Sequence, residues 1–127
     1  CTGFNQILES WDVSNVKTMC NMFADCEQFN QRMNRWDVNS VKDMGSMFYN
    51  CIHFNQELGT WKTIQCTDFT KMFRGCIRFS KSLEAWEIYY NVSNYHMFEF
   101  IYPDEWKPRK IETPIAPREP LCRKLVL

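Results

Sequence analysis

Residues 11–31 read WDVSNVKTMCNMFADCEQFNQ, and residues 36–56 read WDVNSVKDMGSMFYNCIHFNQ. The second string repeats the first, 25 residues later, with its Trp, Val, Met-Phe, Cys and Phe-Asn-Gln in the same order. The same 25-residue spacing continues on both sides of these two strings, without a gap, from residue 1 to residue 100. Four columns of apolar residues result: Cys1, Cys26, Cys51 and Cys76; Phe4, Phe29, Phe54 and Phe79; Trp11, Trp36, Trp61 and Trp86; and Phe23, Phe48, Phe73 and Phe98. A fixed period in this range indicates a stacked array of repeats.

Two local patterns suggest secondary structure within one unit. Residues 4–8 are short and apolar at both ends, which favours a strand. Val16, Met19, Phe23 and Cys26 share one face at helical spacing, which favours a short helix. The sequence therefore predicts an α/β, leucine-rich-like repeat solenoid. Its four 25-residue coils, each a short strand plus a short helix, would stack into a narrow parallel sheet.

The period sets the predicted domain boundaries. The solenoid spans residues 1–100, with units at 1–25, 26–50, 51–75 and 76–100. The last unit resembles a decayed cap, because Asn91 and Asn94 replace two apolar columns and terminal repeats need a wettable face. The first unit has no such change, so either an upstream segment or a partner is expected to cover its end.

Residues 101–127 differ in composition and are predicted to form a proline-rich extended C-terminal arm. All five prolines of the chain lie there, which excludes a continuous helix. The arm is either a disordered linker or a segment that docks on a neighbour. The apolar candidates for docking are Trp106, Leu125, Val126 and Leu127.

Composition excludes several classes of protein. Fifteen Lys and Arg balance fifteen Asp and Glu, so no basic excess indicates nucleic-acid binding. No apolar run is long enough for a transmembrane segment. His53 and His96 occupy different columns and no Cys-x-x-Cys occurs, so no metal site, cofactor or catalytic residue is expected. We therefore expect a protein that is not an enzyme.

Two polar columns leave alternatives open. The cysteine column could form a disulfide between adjacent rungs, whose Cα atoms would lie ~4.8 Å apart, or a ladder of buried thiols, which is favoured. Asn5, Asn30 and Asn55 could form a binding stripe. They could also form an asparagine ladder that satisfies backbone groups at a bend, which is again favoured.

The recurring string, from Trp11 through Val16, Met19 and Phe23 to Cys26, resembles the BspA-like bacterial surface-protein repeat, a divergent relative of leucine-rich repeats. The resemblance covers about residues 1–100. It implies a solenoid without a general catalytic activity, and roles in adhesion, partner binding or structure.

The functional expectation is a non-enzymatic structural or protein-interaction solenoid that works inside a larger assembly. Its partners would be other protein subunits, bound through the N-terminal end, the solenoid faces and the C-terminal arm. The cysteine column favours a reducing compartment, and hence a virion or intracellular assembly such as the particle of a large DNA virus, over the cell surface. The alternative is a cell-surface adhesin module that binds host protein or glycan.

Overall fold

Regular secondary structure is sparse in this chain. The computed structural model describes residues 1–98 and 104–112. Within them, strand β1 spans Glu87–Tyr89, a 3-10 helix spans Asp104–Trp106, and strand β2 spans Arg109–Ile111. The two strands pair in parallel, with Glu87 opposite Arg109 and Tyr89 opposite Ile111.

The predicted fold class is therefore wrong. The described part of the chain contains no α-helix, and residues 4–8 do not form a strand. Residues 1–98 do not form strand-plus-helix coils with a narrow parallel sheet running along them. Each 25-residue unit is instead a succession of tight turns, joined to the next unit by isolated parallel bridges such as that between Asp43 and Asp68.

Hydrogen bonding between units explains why the helical spacing does not produce a helix. In the second unit, alternate backbone N–H groups donate to the third unit over 2.8–3.0 Å: Met44, Ser46, Phe48 and Asn50 bond to the carbonyls of Asp68, Thr70, Met72 and Arg74. The intervening Met47, Tyr49 and Cys51 donate to the carbonyl three residues earlier. An α-helix needs every N–H for the carbonyl four residues earlier, so this division of donors excludes it.

Left-handed backbone conformations enforce the same result. Asn21, Ser46, Lys71 and His96 occupy equivalent positions, with φ between 50° and 59°. Asp25, Asn50 and Gly75 form a second such column, with φ of 62°, 58° and 81°. One left-handed residue ends a right-handed helix, so the two in each of the first three units keep the segment folded as turns.

The core consists of equivalent side chains from successive units. Trp36, Trp61 and Trp86 are buried, and their rings stack with centroids 6.5 and 6.2 Å apart and nearly parallel planes. The Phe columns stack in the same way, with Phe29 and Phe54 at 6.1 Å and Phe48 and Phe73 at 5.6 Å. The repeat period thus places like residues on like residues, although the unit between them is made of turns.

Residues 104–112, which we call the C-terminal strap, lie on the fourth unit of the same chain. The N–H of Leu83 donates to the Trp106 carbonyl over 2.7 Å, and the N–H of Arg109 donates to the Trp86 carbonyl over 2.8 Å. Trp106 is partly buried against the core. The strap therefore covers part of the end of the fourth unit.

Candidate interaction surface

The first unit leaves exposed the residue columns that later units bury. Trp11 is 53% exposed, whereas Trp36 is 4% exposed. Met22 is 36% exposed, whereas Met47 is fully buried. Phe4 is partly buried and Cys1 is exposed, although their equivalents in the other three units are buried. We call this surface the N-terminal end.

The backbone of the N-terminal end presents a row of hydrogen-bond acceptors. In the second unit, the carbonyls of Asp43, Gly45, Met47 and Tyr49 accept N–H donors from the first unit over 2.7–2.9 Å. The equivalent carbonyls of the first unit belong to Thr18, Cys20, Met22 and Ala24. No donor among the described residues reaches them. They form an edge of the kind that pairs with a further polypeptide segment.

Two donors at the same end are open as well. The indole N–H of Trp36 donates to the Leu8 carbonyl over 2.9 Å, 28 residues earlier, and Trp61 and Trp86 repeat this bond one and two units later. The indole of Trp11 has no such acceptor in the described part of the chain. The backbone N–H of Asn5 also has no acceptor among the described residues. The equivalent backbone N–H groups of the later units donate to an asparagine side chain one unit earlier.

The asparagine column acts as a structural ladder. The backbone N–H groups of Asn30, Asn55 and Ser80 each donate over 2.9 Å to the side-chain Oδ1 of Asn5, Asn30 and Asn55, respectively. The interpretation that these amides satisfy backbone groups is confirmed. The side-chain carbonyls are used inside the stack, so they leave no stripe of free acceptors for a ligand.

The cysteine column forms a ladder of free thiols. Cys26, Cys51 and Cys76 are buried and unbridged, and the thiols of Cys51 and Cys76 donate to the carbonyls of Phe23 and Phe48. Burial raises the pKa of Cys51 to about 12, which disfavours the reactive thiolate. Cys1 is exposed, so the expectation of a fully buried column is wrong at the N-terminal end.

The described residues assemble no cluster of metal-ligating side chains. Within residues 1–98 and 104–112, no three His, Cys, Asp or Glu side chains come together as a metal site would require. In the same ranges, no helix has the length and apolar character of a membrane span. What the arrangement offers chemically is backbone pairing and apolar contact.

The docking candidates of the arm separate into two groups. Trp106 lies against this chain's own fourth unit, within the C-terminal strap. Leu125, Val126 and Leu127 lie outside the described residues. Sequence reasoning missed the carbonyl row of the N-terminal end, because backbone groups carry no residue signature. The column of Asp25, Asn50 and Gly75 was the available signal, since these residue types tolerate left-handed backbone.

Comparison with known proteins places the chain in a protein family. The family model described as "Mycoplasma protein of unknown function, DUF285" covers residues 1–103, most of the chain. No curated protein and no solved structure matches the chain.

Proposed function

The chain belongs to the DUF285 family, and we propose that it serves as a non-enzymatic structural and protein-interaction module inside a larger assembly. The observation that carries this proposal is the N-terminal end, which combines an exposed Trp11 with a row of four unpaired carbonyls. Its partners are other protein subunits. The resemblance to BspA-like repeats is more specific than the DUF285 match. It rests on the same 25-residue pattern, and we include it in this proposal.

The chemistry of the N-terminal end supports a protein partner. Trp is enriched among the residues that dominate binding at protein interfaces, because a large ring can bury much apolar area and keep one polar N–H satisfied. The exposed Met22 lies at the same end and adds an adaptable apolar contact. The open carbonyl row would fix the direction and register of the partner's backbone.

The two ends of the molecule differ, which supports a defined place in an assembly. The C-terminal strap occupies the backbone of Leu83 and Trp86 on the fourth unit. The first unit has no comparable cover among the described residues. The two ends therefore offer different contacts to other protein subunits.

Two more specific functions are compatible with this proposal, and we favour the first. A component of a large viral particle would use the chain as a scaffold in a reducing compartment, where the buried thiols stay free. The alternative is a cell-surface adhesin that binds host protein or glycan. The exposed Arg35, Glu57, Lys62 and Glu84 favour it, because they vary in charge beside constant columns and could select a ligand.

The test compares two exposed apolar positions in the chain's native source. Trp11→Lys places a charge on the N-terminal end, and the matched control Ile77→Lys places one on a side chain that is 60% exposed elsewhere. We expect the wild-type chain and Ile77→Lys to migrate in an assembly on size-exclusion chromatography, and Trp11→Lys to migrate as a free subunit. Recovery of the wild-type chain as a free monomer would contradict the proposal.

A further inference from the structure

We propose that the fourth unit and the C-terminal strap form a binding site for a phosphate monoester of an apolar alcohol. A cleft of about 440 Å³ lies between them, and we call it the strap cleft. Its volume is within the range of small-molecule sites, ~300–1,000 Å³. Asn94 and His96 line the cleft from the fourth unit, and Lys107 and Lys110 line it from the strap. The site goes beyond the proposed function, because it lies at the other end of the repeats from the N-terminal end.

Two backbone N–H groups of the fourth unit are open at the strap cleft. Their equivalents in the third unit, the N–H groups of Phe69 and Lys71, donate to carbonyls of the fourth unit over 2.6 and 2.9 Å. His96 keeps the left-handed backbone of Lys71, with φ of 50° and 57°, so its N–H also extends away from the third unit. No acceptor in the described part of the chain takes the N–H of Asn94 or His96. Backbone donors left open at such an edge favour an anion.

The strap adds positive charge on the facing wall. Lys110 is exposed and makes no ion pair within the described residues. Lys107 pairs with Asp104 over 2.8 Å. Both members of that pair are exposed, where an ion pair is weak, and an ammonium group has three donors, so Lys107 can also donate to a ligand. The described residues that line the cleft include no carboxylate. The cleft is therefore positively charged.

The arrangement of donors favours a phosphate over a carboxylate. The two backbone N–H groups and the two ammonium groups lie on facing walls of the strap cleft. A phosphate monoester has three strong acceptor oxygens and a charge of about −1.5 to −2 at pH 7, so it can accept from both walls at once. A carboxylate has only two oxygens and a single charge.

Apolar side chains define the other half of the ligand. Ile88, Met97 and Pro108 also line the strap cleft, and the first two are buried. Polar groups placed against them would lose their hydration without gaining a hydrogen bond. The group esterified to the phosphate is therefore apolar, and such an ester should bind more tightly than inorganic phosphate.

A titration followed by NMR tests the site with phenyl phosphate as the probe. The full chain, labelled with ¹⁵N, is titrated with phenyl phosphate, inorganic phosphate or benzoate. We expect phenyl phosphate to bind with a Kd of about 1 mM or lower. It should move the backbone amide resonances of Asn94 and His96 downfield, because their N–H groups gain an anionic acceptor. Inorganic phosphate lacks the apolar group and benzoate lacks the third oxygen, so both should bind more weakly.

Two lysine substitutions provide a matched comparison. Lys110→Gln removes a charge from the strap cleft, and Lys17→Gln removes one from the first unit. Both side chains are exposed, so both variants should keep the fold. We expect Lys110→Gln to weaken phenyl phosphate binding at least about fivefold, because a charge-assisted hydrogen bond is lost. Lys17→Gln should bind as the wild type does.

Three results would overturn the inference. The first is the absence of a shift at Asn94 and His96 when phenyl phosphate is added to about 10 mM, well above the expected Kd. The second is equal affinity of the Lys110→Gln and Lys17→Gln variants. The third is tighter binding of benzoate than of phenyl phosphate, which would assign the cleft to carboxylic acids.

Discussion

The indole N–H of Trp36 donates a 2.9 Å hydrogen bond to the carbonyl oxygen of Leu8 in the preceding unit. The same indole stacks on Trp61 with planes only 2° apart. One side chain thus joins three successive units, the first through its polar atom and the third through its ring. Trp11, by contrast, is 53% exposed, and no acceptor among the described residues takes its indole N–H.

This difference predicts unequal costs for two tryptophan substitutions. Trp36→Ala should destabilise the chain by ~3–5 kcal/mol, the range for large aromatic truncations in cores. Trp11→Ala should cost clearly less, because its side chain is 53% exposed and its N–H is unpaired. Urea unfolding followed by circular dichroism measures both. Small and equal losses would show that the tryptophan column does not hold the units together.

The hydroxyl of Thr63 predicts a stabilising substitution. Thr63 is 2% exposed, its Oγ1 has no hydrogen-bond partner, and the equivalent residue one unit earlier is the buried Val38. Thr63→Val should raise the free energy of unfolding by about 1 kcal/mol, because it removes an unsatisfied buried polar group at constant shape. Thr60→Val is the matched control, since the exposed Thr60 hydroxyl donates to the Asn34 carbonyl. The control should lower stability slightly, and a loss of stability in Thr63→Val would refute the explanation.

The left-handed column predicts a contrast between two glycines. Gly75 has φ of 81°, and a Cβ there would meet Asn50 Oδ1 and lie 3.0 Å from Asn50 Cα. Gly75→Ala should therefore cost at least about 1–2 kcal/mol, the penalty of left-handed backbone plus the clash. A Cβ at Gly59 would have no atom within 4 Å. Gly59→Ala should be within about 0.5 kcal/mol of wild type. Thermal unfolding of both variants is sufficient, and similar costs would contradict the assigned backbone.

Buried thiols predict a loss of stability at alkaline pH. Burial raises the pKa of Cys51 and of Cys66 to about 12, from 9.0. Above pH 9 the unfolded chain loses these protons while the folded chain keeps them. The stabilisation present below pH 9 is therefore lost as the pH rises toward 12, by up to about 1.4 kcal/mol per pH unit for each thiol.

The measurement is urea unfolding from about pH 8 to about pH 10.5, for wild type and for Cys51→Ala. The variant should show a shallower decline, because one raised pKa is gone. Removal of the Cys51 charge also lessens the rise in the pKa of the buried Cys76, which acts in the same direction. Identical slopes would mean that the Cys51 thiol is not buried as the structure places it.

The sequence could predict which residues meet but not the backbone that brings them together. The Trp and Phe columns required only the 25-residue period, and their rings stack between neighbouring units. The prediction of a helix was wrong because the spacing of apolar residues from Val16 to Cys26 was interpreted as one helical face. Successive turns with a donor to the next unit at every second residue produce the same spacing of buried side chains. Val41, Met44 and Met47 are buried in this way.

The interaction surface was predicted only in its apolar part. The unbroken column at Phe4 indicated an apolar surface at this end, and the structure adds the partial exposure of Met22. The carbonyl row at Thr18 and Cys20 could not be foreseen, because every residue carries the same backbone groups. A column of left-handed residues can in principle be recognised in the sequence from its residue types. Asp25 and Gly75 share a column that no apolar packing explains.

The constant register between units limits how this chain can change during evolution. Backbone and side-chain bonds join residues at fixed separations, 25 for the asparagine ladder and 28 for the tryptophan indoles. Insertion or deletion of one residue within a unit would change the separation of every bonded pair that spans it and break several bonds at once. The chain lengths of relatives should therefore differ by the gain or loss of whole repeats, with single-residue changes confined to the segment after the fourth unit.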